Sequence, residues 1–295
     1  MNASKALPIT SKLAALLLPK RSDDSHKGTF GKALLIAGSQ QFTGAANLAI
    51  GAALRSGAGL VFAAIPESIH SPLAAAIPEA IWLVLPNESE LHFPVEFLKD
   101  KDAVLIGPGL GQSEATRFMV YSLLGEIRKN YHTKPVVIDA DALNILSQDA
   151  EWQKSLPENV ILTPHEMEFS RLTGLPLEKI KQNRQELALR YANKWRATLL
   201  LKGANSLIVS PEGECRVLEF ANSALAHGGS GDVLAGLIVG YLAQGLPAFD
   251  AASLAVWLHA EAALLALERL GHPAATLPSD IIAHLGLAMK GLLKP

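Results

Sequence analysis

Short apolar segments that end in glycine or in polar residues recur along this chain of 295 residues. Residues 32–38, 60–65 and 103–106 are such segments, and their length and composition are typical of buried strands. A breaker-poor, alanine-rich stretch at 44–56 and another stretch from near Ser113 have the character of helices. Alternation of this kind predicts one doubly wound, mostly parallel sheet flanked by helices, a three-layer α/β/α fold.

Polar clusters follow the remaining predicted strands as well. Strands are predicted at 135–138, 160–162 and 198–201, and residues 207–209 and 215–218 are predicted to form a hairpin. In open parallel sheets, ligands bind beyond the carboxyl ends of the strands. We therefore expect the functional site at that edge, within a single domain without linkers or repeats.

Composition limits the classes of partner. Hydrophobic residues make up 49% of the chain and the net charge is −2, so we expect neither nucleic acid nor a membrane as a partner. The apolar run 251–267 is interrupted by His259 and Glu261 and predicts a buried helix. No signal peptide is recognisable, which favours the cytoplasm. Cys215 is the only cysteine and is interpreted as a packed thiol.

Several common motifs are absent from the sequence. There is no GxxxxGK[ST] phosphate loop and no GxGxxG dinucleotide fingerprint, and His165-Glu166 does not extend to HExxH. A GxSxG nucleophile elbow is also missing. A nucleotide, if one binds, must therefore be held by a different kind of loop.

The sequence HGGSGD at 227–232 precedes an apolar, helical run that is predicted to end near Gly245. Unpaired N–H groups and the positive end of the helix dipole meet at such a helix start and form an anion site. Asp232 has two interpretations, as a helix cap or as a functional acid. The four small residues before it favour close backbone approach to a ligand.

Three other strand ends carry candidate groups. Lys202-Gly203 offers a cation and a flexible backbone, although it also fits a plain β-turn. Asp139 is interpreted either as a cap or as a ligand of a divalent cation, whereas Asp141 is expected to cap the next helix. At the third end, Thr163 or His165 is expected to cap a helix, and a ligand role for His165 is the alternative. The small residues around 28–32, 38–39 and 44–45 fit either a substrate loop or simple turns.

Taken in order, seven segments resemble the ADP/ATP-dependent NAD(P)H-hydrate dehydratases of the ribokinase-like superfamily. They are HKGTFGKALLIAGS (26–39), TGAANLAIGAALRSGAGLV (43–61), IGPGLGQ (106–112), VVIDADALN (136–144), ILTPHEMEFSRLTG (161–174), LLKGANSLIV (200–209) and NSALAHGGSGDVLAGLI (222–238). The resemblance implies a ribokinase-like domain over residues 26–295, preceded by an N-terminal extension over residues 1–25. It implies repair of NADH or NADPH hydrated on the nicotinamide ring, with ADP or ATP as phosphoryl donor and Mg²⁺ bridging the phosphates.

The resemblance also assigns residues. It implies Asp232 as the catalytic base and an anion hole formed by the amides of Gly229, Ser230 and Gly231. The nucleotide would contact Lys202, Gly203, Ala204, Asn205, Ser206 and Gly231. The hydrate would contact Ala45, Gly109, Gly111, His165 and Asp232. Asp139 remains the candidate metal ligand.

Two departures from the family pattern matter. Ser230 stands where the family often has threonine, which keeps the hydroxyl. Only about 25 residues precede the match, so we expect no epimerase domain and no epimerase activity. The family further implies a homo-oligomer, a tetramer, to which the helix at 44–56 is expected to contribute.

The sequence leaves two alternatives. One is a ribokinase-like kinase for the hydroxymethyl group of a thiazole or pyrimidine vitamin precursor, and the other is a non-catalytic nucleotide-binding module. The choices between ADP and ATP and between hydrated NADH and hydrated NADPH stay open at this stage.

Overall fold

The computed structural model describes residues 6–86 and 93–293. Ten strands lie in this part of the chain: β1 (Leu7–Pro8), β2 (Lys32–Ile36), β3 (Leu60–Pro66), β4 (Ile81–Leu85), β5 (Ala103–Ile106), β6 (Val136–Ile138), β7 (Val160–Leu162), β8 (Thr198–Leu201), β9 (Asn205–Val209) and β10 (Cys215–Glu219). The α-helices in the same part are α1 (Ser11–Leu17), α2 (Thr43–Arg55), α3 (Glu67–Ala76), α4 (Glu114–Asn130), α5 (Ala140–Leu146), α6 (Glu166–Thr173), α7 (Leu177–Gln182), α8 (Arg184–Trp195), α9 (Ser230–Ala243), α10 (Ala248–Leu270) and α11 (Pro278–Leu292).

The strands form one sheet in the order β1-β10-β9-β8-β7-β6-β5-β2-β3-β4. Neighbours from β8 to β4 run parallel, whereas β9 runs antiparallel to both β8 and β10. The chain adds β3 and β4 on one side of β2 and then crosses to β5 on the other side. The order in which the chain adds strands therefore reverses between β2 and β5, although these two strands are parallel. In doubly wound folds, ligands bind at this point of reversal.

Alternate residues of the strands enter two separate cores. In β2, Ala33 and Leu35 pack with α1, α2, α3, α9, α10 and α11, whereas Leu34 and Ile36 pack with α4 to α8. Successive side chains of a strand point to opposite faces, so a sheet covered on both faces needs apolar residues at every position. The predicted three-layer α/β/α architecture is confirmed.

Helices α2 and α9 lie unusually close because α9 carries glycines where they touch. A Cβ atom on Gly236 would lie 2.2 Å from the carbonyl oxygen of Ala49, and one on Gly240 would lie 1.9 Å from Oγ of Ser56. Four alanines of α2 are therefore buried within the protein, and Ala53 is fully buried. The expected packing of the helix at 44–56 on a partner subunit stays a prediction.

The N-terminal segment is part of the same body. Leu7 and Pro8 pair in parallel with β10, Ile9 is buried, and Ala14 in α1 is completely buried in the core next to α10. The described part of the extension thus supplies an edge strand and a helix to the fold, and the domain boundary at residue 26 stays a prediction.

Every predicted strand is present, with ends within two residues of those predicted. Strands β1 and β4 were not predicted. Helix α10 is the one helix in the described residues that is long and apolar enough to cross a membrane, and 67% of its most apolar stretch is buried in the protein. Cys215 is buried in β10, and burial raises the pKa of its thiol to about 11, so it is a packed thiol as predicted.

Candidate active site

The glycine turn before α9 leaves several backbone N–H groups free. Gly229 precedes the helix with φ of 96°, a left-handed conformation that favours glycine, and no side chain caps the helix start. The amide of Ser230 donates to the carbonyl oxygen of His227 at 3.2 Å. The amides of Gly228, Gly229, Gly231 and Asp232 have no acceptor among the described residues. This helix start can therefore hold an anion.

Lys202, at the end of β8, is surrounded by acceptors. Its Nζ lies 2.7 Å from Oδ1 of Asp139 and 3.9 Å from Oε2 of Glu168. The hydroxyl of Thr163 donates to the same Oδ1 at 2.7 Å. Burial lowers the pKa of Lys202, but the two carboxylates outweigh it and the net shift is upward. The lysine is therefore a fixed positive charge beside the start of α9, where a Cβ on Gly231 would lie 3.4 Å from its Nζ.

Asp232 lies in the first turn of α9 and caps nothing. Burial, with repulsion from the carboxylates of Asp139 and Asp141, raises its pKa to about 7, although Lys202 opposes the shift. A carboxylate of this pKa can take up a proton near neutral pH. Of the two interpretations of Asp232, the cap is not seen in the structure, and the functional acid stays a prediction.

His165 and Glu168 form a capping box at the start of α6. Nδ1 of His165 accepts from the amides of Met167 and Glu168 at 3.1 Å, while Oε2 of Glu168 accepts from the amide of His165 at 2.8 Å. Burial and the nearby Lys202 charge lower the pKa of His165, so the ring is neutral and carries its proton on Nε2. His165 caps the helix as predicted, and its Nε2 remains a donor for Glu168 or for a ligand.

Burial also raises the pKa of Glu168 to about 7. Glu168 lies in the first turn of α6 and was not predicted as a site residue. Its spacing from His165, three residues later, is the capping-box signal, which would have indicated that the two side chains meet.

Asp141 holds a neighbouring loop instead of capping its own helix. Its Oδ2 accepts from the amide of Gly111 at 2.9 Å, and its Oδ1 accepts from Nε2 of Gln112 at 3.2 Å. The capping expected for Asp141 is therefore wrong, because a tertiary contact takes both of its oxygens. Gly109 in the same loop lies against α2, where an added Cβ would be 2.7 Å from Cβ of Ala45.

Two cavities flank this cluster. The larger, of about 630 Å³, contains most of the predicted nucleotide contacts in its wall, namely Lys202, Gly203, Ala204, Ser206 and Gly231, together with His165 and Ser230. The smaller, of about 290 Å³, is lined by Gly111 and by residues 38–41. Asp232 lines neither cavity, but its neighbour Gly231 lines the larger one, and its carboxylate interacts electrostatically with Lys202, Asp139 and Asp141.

A family model described as NAD(P)H-hydrate dehydratase matches residues 33–285, most of the chain. The chain belongs to this family. Its fold also agrees with a crystal structure of the ADP/ATP-dependent NAD(P)H-hydrate dehydratase from Bacillus subtilis, co-crystallised with ATP and Mg²⁺. The two are 32% identical, with a TM-score of 0.84 and 99% of each chain covered.

Curated relatives of the dehydratase family give the same assignment. The ADP-dependent (S)-NAD(P)H-hydrate dehydratase of Neisseria meningitidis is 39% identical over 265 residues, covering 88% of this chain and 86% of that protein. The bifunctional NAD(P)H-hydrate repair enzyme Nnr of Moorella thermoacetica is 38% identical over 282 residues. This chain spans about half of the Moorella protein, 52% of its length. The predicted family is thus confirmed, and the dehydratase is favoured over the small-molecule kinase.

The site predicted for a dehydratase is brought together with few exceptions. Asn205 does not line the larger cavity. Its carbonyl oxygen accepts a hydrogen bond from Arg184 at 3.0 Å. The amide of Ser230 is engaged by His227, whereas the amides of Gly229 and Gly231 are free as donors, and so is that of Asp232, which was not predicted. The roles of the individual residues remain predictions, since the geometry places them without a ligand.

The site offers few side chains to the metal expected in a dehydratase. No cluster of three or more His, Cys, Asp or Glu suited to a metal ion occurs in residues 6–86 and 93–293. Asp139 has one oxygen engaged by Lys202 and Thr163, and its Oδ2 accepts no hydrogen bond from the described residues. Mg²⁺ commonly binds through one or two carboxylates together with substrate phosphates. Asp139, whose side chain is buried and pairs with Lys202, therefore stays the predicted ligand of such an ion.

Proposed function

We propose that this protein restores NADH or NADPH from the hydrated forms at the expense of ADP or ATP. The terminal phosphoryl group is transferred to the ring hydroxyl, and the resulting phosphate ester is then eliminated. One observation supports the proposal: Gly231 and Lys202 line the larger cavity together, the amides of Gly231 and Asp232 are free, and the Asp232 carboxylate interacts with the Lys202 ammonium.

The nucleotide is assigned to the larger cavity. Its wall includes the Lys202 turn and the start of α9, which together present a cation and free N–H donors to phosphate oxygens. Such groups stabilise the charge that develops on the transferred phosphoryl group without reorganising during the reaction. Mg²⁺, when bound beside Asp139, would neutralise charge on the phosphates.

The hydrated nicotinamide is assigned to the side of Ala45, Gly109 and Gly111. Asp232 takes the proton of the ring hydroxyl while the hydroxyl oxygen attacks phosphorus and the bond to the leaving nucleotide breaks. In the second step the C–O bond of the ester breaks, phosphate leaves with the electron pair, and the neighbouring ring carbon loses a proton. The ring double bond is restored, and the nucleotide leaves one phosphate shorter.

The variant Asp232→Asn tests this assignment. We expect turnover to fall by about 10²–10⁴-fold, the usual contribution of a general base, whereas the dissociation constant for ADP changes little. The assay follows the near-ultraviolet absorbance of the regenerated reduced nicotinamide ring. Asp23→Asn, at an exposed aspartate, is the control.

Two results would contradict the proposal. Unchanged turnover in Asp232→Asn would remove this carboxylate from the mechanism. Failure of the unaltered protein to regenerate NADH, together with phosphorylation of a thiazole or pyrimidine alcohol, would favour the kinase alternative.

We also propose a Mg²⁺-dependent, cytoplasmic homotetramer. The co-crystallisation of the Bacillus enzyme with ATP and Mg²⁺ supports the ion, and the family resemblance supports the tetramer. Light scattering of the purified protein tests the oligomer, and chelation of Mg²⁺ is expected to abolish turnover.

A further inference from the structure

Arg184, the first residue of α8, reaches under the turn that carries Lys202. Its Nη2 donates to the carbonyl oxygens of Leu201 at 3.3 Å, Lys202 at 3.4 Å and Asn205 at 3.0 Å. These carbonyls lie at the end of β8 and the start of β9, on both sides of the turn. One guanidinium thus ties together the two ends of the segment assigned to the nucleotide.

Gly203 leaves room for this guanidinium. A Cβ added to Gly203 would lie 2.7 Å from Nη2 and 2.9 Å from Nη1 of Arg184. The backbone φ of Gly203 lies outside the left-handed region, so conformation does not require glycine here. The missing side chain at residue 203 is therefore explained by the arginine beneath it and needs no contact with a nucleotide.

The other nitrogen of the same guanidinium extends the link to α6. Nη1 of Arg184 pairs with the carboxylate of Glu166, the first residue of α6. Its neighbour His165 caps that helix, and Glu168 in the same turn approaches Lys202. Both partners of the ion pair are largely buried, with 19% and 27% of their side chains exposed.

We propose that Arg184 is a positioning residue that fixes the Lys202 turn against the start of α6 and thereby sets the affinity for the nucleotide. This inference rests on the proposed function, because it assumes that the nucleotide occupies the cavity beside this turn. A planar guanidinium can serve several carbonyls and a carboxylate at once, which a lysine ammonium cannot do with the same geometry.

Arg184 acts through the turn and does not bind the phosphates itself. Its Nη atoms are already engaged with three carbonyl oxygens and one carboxylate, and the arginine does not line the larger cavity. Its positive charge is matched by Glu166. Loss of Arg184 is therefore expected to alter the geometry of Lys202 more than the charge of the site.

The first experiment compares Arg184→Ala and Arg184→Lys with Arg190→Ala, an exposed arginine on the same helix. We expect KM for the nucleotide to rise about tenfold or more in Arg184→Ala, the scale expected when a charged hydrogen-bonding group is lost. The value of kcat at saturating nucleotide should fall much less. Arg184→Lys should recover only part of the affinity, and Arg190→Ala should behave like the unaltered protein.

The second experiment is a double-mutant cycle between Arg184 and Gly203. In the unaltered background, Gly203→Ala pushes its methyl group against the guanidinium and should weaken ADP binding, measured by calorimetry. In the Arg184→Ala background the methyl group has room, so Gly203→Ala should reduce the affinity for ADP only a little further. Strong non-additivity of this kind reports direct contact between the two positions.

Three results separate the possible failures. Additive losses in the cycle would overturn the inference and return Gly203 to direct contact with the nucleotide. A KM unchanged in a folded Arg184→Ala protein would also overturn it. If the unaltered protein binds no ADP by calorimetry, the proposed function fails first, independently of Arg184.

Discussion

Asp232 holds a charge that the protein environment opposes. Burial and two neighbouring carboxylates raise its pKa to about 7, and burial raises that of Glu168 to about 7 as well. A carboxylate with a raised folded-state pKa stabilises the fold below its unfolded pKa, and that contribution is lost as pH rises through about 7. Near neutral pH the ionised form of Asp232 therefore lowers the stability of the fold. A pKa in this range is the one that suits a carboxylate that both accepts and releases a proton.

The pH profile of kcat/KM should reflect this. Asp232 must be ionised to accept the hydroxyl proton, so we expect activity to fall as pH drops below about 7, where Asp232 becomes protonated. His259 does not explain such a fall, because burial lowers its pKa to about 4 and it stays neutral throughout.

Glu168→Gln is the matched control for the pH profile. If Asp232 governs the profile, the fall in activity near pH 7 is still seen in this variant. Its midpoint shifts, because Asp232 and Glu168 both interact with Lys202. Disappearance of the fall in Glu168→Gln would assign it to Glu168 instead.

Single residues also show what sequence can and cannot reveal. The glycine turn and Lys202 were predictable, because small residues and a cation at strand ends have a direct chemical reason. Arg184 was not, since its four partners lie 17 or more positions away in the chain. The capping expected for Asp141 was wrong because no local pattern showed that the Gly111 loop would come within hydrogen-bonding distance.

At the scale of elements, the close packing of α2 on α9 sets the geometry of the site. Gly236 allows α9 to approach the backbone of Ala49, and one end of this contact lies near Leu48, which a Cβ on Gly229 would meet at 2.4 Å. The anion-binding end of α9 and the Ala45 end of α2 are thus held by the same helix pair.

Gly236→Ala should separate these two helices. The added Cβ would lie 2.2 Å from a backbone oxygen, so we expect the free energy of unfolding to fall by about 1–3 kcal/mol. Turnover should fall as well, because the start of α9 moves relative to Ala45. Urea denaturation and the nicotinamide assay measure the two effects.

Gly286→Ala is the control for that substitution. Gly286 lies within α11, and a Cβ there would have nothing within 4 Å. Replacing glycine by alanine at such a position should stabilise the protein by about 0.4–1 kcal/mol. An equal loss of stability in both variants would contradict the assignment of close packing to Gly236.

The elements themselves were partly predictable for a physical reason. Interior strands such as β5 and β7 are continuous apolar runs, buried on both faces, and their ends are marked by glycine or polar residues. Strand β1 has only two residues and exists through its pairing with β10, some two hundred positions away. Such a strand has no local signature, so only the folded sheet reveals it.

At the scale of the whole molecule, the N-terminal segment closes one end of the sheet. β1 lies at the edge beside β10, and α1 packs on α10 and α11 through Ala14. The sheet and the helices that cover it therefore include residues that the family resemblance left outside the domain, and we expect the stability of the fold to depend on them.

Ala14→Asp tests this dependence. A charge without a partner at a fully buried position should lower the free energy of unfolding by about 3–5 kcal/mol. Ala15→Asp, on the exposed side of the same helix, should have little effect. If both variants unfold at the same denaturant concentration as the unaltered protein, the segment is not an integral part of the domain.

Cys215 has a practical consequence. It is the single thiol of the chain, it is buried in β10, and its raised pKa keeps it protonated at neutral pH. Alkylating reagents react with thiolates, so we expect the native protein to react very slowly with maleimide dyes. A cysteine introduced on the exposed tip of the β9–β10 hairpin, for example at Glu212, would therefore accept one fluorophore at one known position without removal of the native thiol.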